Sequence, residues 1–393
     1  MLCAALAAGG AIVAVLLTAG STAGAPAFRQ DHRVDSFVLQ YTTDAFAPNN
    51  QFGSAIRGST PRSHLQTSFD DAVSDGSMSI LLRMLTLDDL TGASDPSLNI
   101  GVISGVPITP AGNPAVYDGT SDLDWWYTQS ASGADANGVP LDQLSGSIVA
   151  NTLSVGPGTV HLSLSMVGAV TVVDARLEAT TGAVSAPLGS TNGFPPGHLP
   201  AEAIDPNLHS FESMAGGKLA GNIRAASLAS EFIPISFVGS GLTNCSQNYT
   251  IANTWLDLLV GGCTTIIGTQ MAPTQPDQAD PAAPPAGSGA PYTFTRTGNT
   301  VTGCKDHTSA TVDLATCVNA AAYSSYFQFT SDRVIVGDPR TAQSVGGFAE
   351  QRDLALTVTH GRDSHRYVGG MLVGLTVIAA LGLGIRRTLR KQP

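Results

Sequence analysis

Charge is scarce in this sequence: Asp, Glu, Lys and Arg make up 12% of residues, against a usual ~25%. A solvated disordered chain and a coiled coil both need more, so both are excluded. Basic residues are scarcer still, 19 against 30 acidic ones for a formal net charge of −11, and the only basic run lies in the C-terminal tail. A nucleic-acid partner requires a Lys/Arg stripe to neutralise phosphates, and none is expected here. The signatures of familiar enzyme chemistry are missing too: there is no G-x-S-x-G elbow, H-E-x-x-H, P-loop, C-x-x-C or complete G-x-G-x-x-G, and the eight histidines show no ligand spacing. The sequence therefore offers no motif for an enzyme and leans away from one.

What is abundant is Gly (43), Pro (23) and hydrophobic residues (43%), which together read as a turn-rich, mainly β ectodomain. At about 150 residues per domain the 393 residues allow two or three units, or one large sandwich with insertions. The fold expected is an antiparallel β-sandwich of jelly-roll type with a few short helices.

The two ends differ from the middle. Leu2 to Thr18 is almost wholly apolar and is followed by small residues, so residues 1–23 read as a signal peptide cleaved after Ala23, with Cys3 incidental to it. Tyr367 to Ile385 is an uncharged run of 19 residues. As a helix it is about 28 Å long, enough to span a bilayer. Arg386, Arg387, Arg390 and Lys391 follow it and hold the tail, residues 386–393, in the cytoplasm. The topology expected is single-pass type I at the cell membrane or surface, with a β-sandwich ectodomain over 24–345 and a charged stalk over 346–366. Removal of the span by a sorting enzyme is a further possibility that the tail leaves open.

Removal of the leader leaves Cys245, Cys263, Cys304 and Cys317. An even number outside the membrane argues for two disulfides with three possible connectivities, and neither neighbouring pair has the short spacing of a zinc site. Local pairing would be worth about 3 kcal/mol per bridge, and crossed pairing is open.

Along the chain, 34–41 reads as a first strand and Pro48-Asn49-Asn50 as a turn. Leu65, Phe69 and Val73 recur every four residues, predicting a helix over 63–73 that stops at Asp75-Gly76. Strands are expected at 78–87 and 97–106. Between Gly158 and Gly168, Val160, Leu162, Leu164 and Met166 alternate with Thr159, His161, Ser163 and Ser165, giving one apolar and one polar face. A partner strand follows over 170–179, bulged near Val172-Val173. Residues 182–217 read as a long connector and a possible sub-boundary, 251–260 as a buried helix, 273–291 as a Pro-rich flexible loop, and 292–296 and 326–336 as strands.

One constellation carries possible chemistry. Asp118, Asp122 and Asp124 lie within seven residues and run directly into Trp125 and Trp126. Carboxylates can hold calcium, and indoles can stack on a sugar ring. The register of a known calcium loop is absent, so an acidic turn leading into a strand accounts for the same residues. No resident cofactor is expected, calcium held by these carboxylates being the one exception considered. His161, on a polar strand face, is accounted for by solvation.

Several short blocks resemble uncharacterised predicted surface proteins of myxobacterial type. They are Asp257-Leu-Leu-Val-Gly-Gly-Cys263, Pro273-Thr-Gln-Pro-Asp277, Asp88-Asp89-Leu-Thr-Gly92, Leu144 to Ile148, Asp174 to Glu178 and Gly217 to Leu228. The resemblance covers roughly 65–337 and implies a bacterial surface protein, with no activity attached. In that group Thr-Gln-Pro-Asp leads into a calcium-like loop; here Asp277 and Asp280 are followed by Pro281-Ala-Ala-Pro-Pro, which departs from it.

The function expected is that of an exported, membrane-anchored surface protein with a structural, adhesion or interaction role, whose partners are the membrane and a surface glycan or protein. A glycan-binding jelly-roll module, using Asp118 to Trp126, is the alternative. A secreted hydrolase built on a carboxylate pair is the second alternative.

Overall fold

The computed structural model describes residues 30–107, 126–129, 133–135, 139–182, 211, 213–281 and 292–337. The expected leader, stalk, apolar span and basic tail lie outside them, as do Asp118, Asp122, Asp124 and Trp125. Among the described residues no helix is long and apolar enough to cross a membrane.

Strand β1 (Gln30–Leu39) leads into the short helix α1 (Gln51–Ala55) and then α2 (Ser59–Ser74). Strands β2 (Ile80–Met84), β3 (Ser94–Pro107), β4 (Trp126–Gln129), β5 (Asp142–Val149), β6 (Thr152–Leu164) and β7 (Gly168–Thr181) follow. After β8 (Ser213–Arg224) come α3 (Ala225–Ser230), a π-turn (Phe237–Gly241) and α4 (Trp255–Gly261). The remainder comprises β9 (Cys263–Thr265), β10 (Gly268–Met271), β11 (Gln278–Ala279), β12 (Thr293–Thr297), β13 (Thr300–Lys305) and β14 (Thr311–Val312). Helix α5 (Leu314–Ala320) and the long β15 (Ala321–Gly337) complete it.

The mainly antiparallel β expectation holds. The pairings, however, form one ring instead of the two separate sheets of a jelly-roll sandwich. β15 pairs with β1, β1 with β2, β2 with β3, β3 with β5, β5 with β6, β6 with β7, β7 with β8, and β8 returns to β15, all antiparallel. An eight-strand barrel leaves an interior just wide enough to be filled by side chains. Here Phe37, Leu82, Ile100, Leu144, Leu153, Leu162, Val172, Leu177, Ile223 and Phe329 fill it, each at most 4% exposed. The outward residues of β6, Thr152, Ser154, Thr159, His161 and Ser163, are exposed and polar. That alternation predicts β6 and β7 from sequence, whereas ring closure depends on which strands meet.

β4 departs from the antiparallel rule. It pairs antiparallel with the end of β3 and parallel with the end of β15.

Most helices lie at one end of the barrel. The apolar stripe of α2, including Leu65, Phe69 and Val73, is buried as its spacing predicts, and Gly76, at φ 75°, turns the chain back after it. Gln66 Nε2 donates to the Phe37 carbonyl of β1 at 3.1 Å, and Ser68 and Ser165 share a hydroxyl hydrogen bond of 2.7 Å, so α2 reaches from β1 to the β6–β7 turn. The predicted helix over 251–260 begins later, at Trp255. Thr254 and Asp257 form a reciprocal capping box that sets its start. Trp255 is fully buried and donates from Nε1 to the Met166 carbonyl of the same turn at 3.2 Å.

Two further expectations need correction. Residues 213–217, read as connector, belong to β8, because Met214 and Gly217 pair with Ser331 and Phe329 of β15. Residues 273–281, read as part of a flexible loop, are held by hydrogen bonds. Gln275 bonds both backbone groups of Phe294, and β11 pairs with β15.

Candidate functional site

The pairing of β5 with β6 runs only from Val149–Thr152 to Gly146–Val155. Beyond it β6 shifts register around Gly158, where a Cβ would collide with the Leu144 side chain. The two strands therefore part, and the His161 N–H loses a ladder partner on that side. The Asp142 carboxylate supplies one. Its Oδ2 accepts from the His161 backbone N–H at 2.6 Å and its Oδ1 lies 2.9 Å from His161 Nδ1. A neutral imidazole that donates from Nδ1 presents Nε2 as an acceptor.

This pair borders a cavity of about 290 Å³ between β3, β5 and β6, lined by Val102, Ile103, Ser104, Gly133, Leu141, Asp142 and His161. Leu141 is 63% exposed and His161 64%, whereas Asp142 is 15% exposed, so the carboxylate sits below an open rim. Pro140 packs over Gly101, which has no room for a Cβ, and positions the start of β5 against β3. A second cavity of similar volume is an open groove along α2, lined by His64, Ser68, Asp71, Asp75 and Ser165 among others.

The sequence-expected residues fall elsewhere or outside the description. Of the Asp118 to Trp126 constellation only the Trp126 backbone is described, in β4 opposite Ile335. Asp277 accepts from the Ser324 backbone N–H at 2.8 Å and from its hydroxyl at 2.5 Å, while Asp280 pairs with Arg224 at 2.5 Å. Both are engaged by protein groups. Among the described residues no three His, Cys, Asp or Glu side chains converge as metal ligands. The cysteines pair locally: Cys245 with Cys263 (Cα–Cα 5.4 Å) and Cys304 with Cys317 (6.5 Å).

Sequence reasoning missed a buried charged cluster on the outer face of β1. Arg83 Nε lies 2.7 Å from Asp31 Oδ1, and Thr330 Oγ1 donates to Asp35 at 2.5 Å where β1 bulges. Burial raises the Asp35 carboxyl above its usual range, opposed by Thr330 and by the Arg33 guanidinium. The signal was available: Asp31, Arg33 and Asp35 alternate along a strand in a charge-poor chain. The role seen is to join β1 to β2 and β15.

No known protein family, no curated protein and no solved structure matches this chain.

Proposed function

We propose that this chain is an exported, membrane-anchored surface protein whose barrel is displayed for adhesion or interaction. The observation that carries the reading is polarity of the barrel. Gln30 and Gly337 emerge at the same end, since Asp31 pairs with Val334. The helical cap at the other end exposes Phe232 (61%), Ile235 (74%), Ile251 (58%), Ile266 (96%) and Ile267 (81%). Leu141 (63%) and Val149 (64%) add exposed apolar side chains on the barrel wall, and exposed large apolar residues suit an interaction surface. A tether running from Gly337 through a stalk to an apolar span at 367–385 would hold that cap away from the membrane. Two disulfides agree with an oxidising compartment. The resemblance of several short blocks to predicted surface proteins of myxobacterial type is in keeping with the same assignment.

Protease added to intact cells is expected to digest the barrel while an epitope tag after Pro393 stays protected. A tag reached from outside, with the barrel protected, would reverse the topology and remove the proposal.

A further inference from the structure

We infer that the cavity between β3, β5 and β6 binds a single neutral saccharide ring. Its volume of about 290 Å³ lies at the lower bound of the roughly 300–1,000 Å³ of small-molecule sites, which suits one ring better than an extended chain. Its polar lining is rich in acceptors. Asp142 accepts from His161 through both oxygens and keeps further acceptor capacity, the Ser104 hydroxyl adds a donor and acceptor, and His161 Nε2 supplies one or the other according to its tautomer. A ligand bearing several adjacent hydroxyl donors matches that set, whereas an anion would meet the Asp142 carboxylate. Leu141, Val102 and Ile103 supply the apolar part of the lining, which suits the C–H face of a sugar ring.

β4 pairs with β3 at Gly105 to Pro107, immediately beyond Ser104. The inference goes beyond surface display and does not depend on where the chain is anchored.

The test uses the detergent-solubilised full chain. Saturation-transfer NMR against glucose, galactose and N-acetylglucosamine at millimolar concentrations is expected to show transfer to at least one of the three. For that sugar Asp142→Asn and His161→Ala should each weaken binding by about tenfold or more, the usual consequence of losing a charged or shared acceptor. Ser163→Ala, on the same exposed face of β6, should leave it unchanged. If Asp142→Asn lowers the thermal midpoint, Leu141→Asp, at an exposed position, serves in its place and should also weaken binding. No transfer from any of the three sugars, or equal affinity in the Asp142, His161 and Leu141 variants, overturns the inference. A protein that binds sugar but fails the cell-surface protease test would separate this site from the display reading.

Discussion

Asp44 shows how much a single carboxylate organises here. Its oxygens accept from the backbone N–H groups of Phe46 (2.7 Å) and Ala47 (3.0 Å) and from the Tyr326 hydroxyl (2.7 Å), with Lys218 Nζ at 3.3 Å. Partial burial pushes its pKa up, but these donors outweigh it and hold the carboxyl below its usual value. The Tyr326 hydroxyl is pushed up to about 12, by burial first and by Asp44 beside it. A depressed carboxylate contributes stability that is present above its unfolded value, near 3.9, and is lost as pH falls through its folded value. Asp44→Asn is therefore expected to be less stable than the parent at pH 7, with the gap closing below about pH 4. Urea midpoints of the two proteins between pH 3 and 7 measure this; a gap independent of pH would assign the effect to packing.

Among the elements, the disulfide-bearing segments stand apart from the barrel. Cys304 lies in β13, part of the separate β12–β13–β14 sheet, and its bridge to Cys317 staples that sheet to α5. Cys263 opens the β9–β10 hairpin, and its bridge anchors the segment at Cys245. Asp257 supplements the staples, since its Oδ1 accepts from the Val301 N–H of β13 at 2.6 Å while its Oδ2 caps α4. Loops of 18 and 13 residues predict about 3 kcal/mol per bridge in the loop-entropy model. Cys304→Ser with Cys317→Ser should accordingly lower the unfolding free energy by about 3 kcal/mol, and Cys245→Ser with Cys263→Ser by a similar amount. Far-UV circular dichroism should retain the barrel signal in both, because no ring pairing contains a cysteine. Unchanged denaturant midpoints in both double variants would show the bridges to be dispensable.

For the whole molecule the decisive contact is the seam between first and last strands. Asp35 and Thr330 are 295 positions apart in the chain and meet inside it. β15 pairs with both β1 and β8, and its Tyr323, Phe327 and Phe329 are each at most 1% exposed. A chain ending at Ala320 would open the ring on two edges and expose those contacts' partners. It is expected to lose cooperative thermal unfolding and to bind a hydrophobic dye, whereas a sharp transition like the parent's would mean that the remaining strands fold without closure. Pairing over such sequence distances also predicts slow folding.

Local periodicity was enough to identify α2, β6 and β7, because Leu65, Phe69 and Val73, and then Val160, Leu162 and Leu164, repeat at the spacing that one buried face requires. Cysteine number and spacing were enough to expect two bridges. Their connectivity, the closure of the ring and the parallel seat of β4 were decided only by the tertiary structure, since a strand's alternation states which face is buried and not which strand lies beside it. The same holds at the cavity. His161 reads from sequence as one more polar residue on an exposed face. Its pairing with Asp142, 19 positions away, arises because β5 and β6 part beyond Gly146 and Val155, leaving a backbone donor that a carboxylate from the start of β5 can reach.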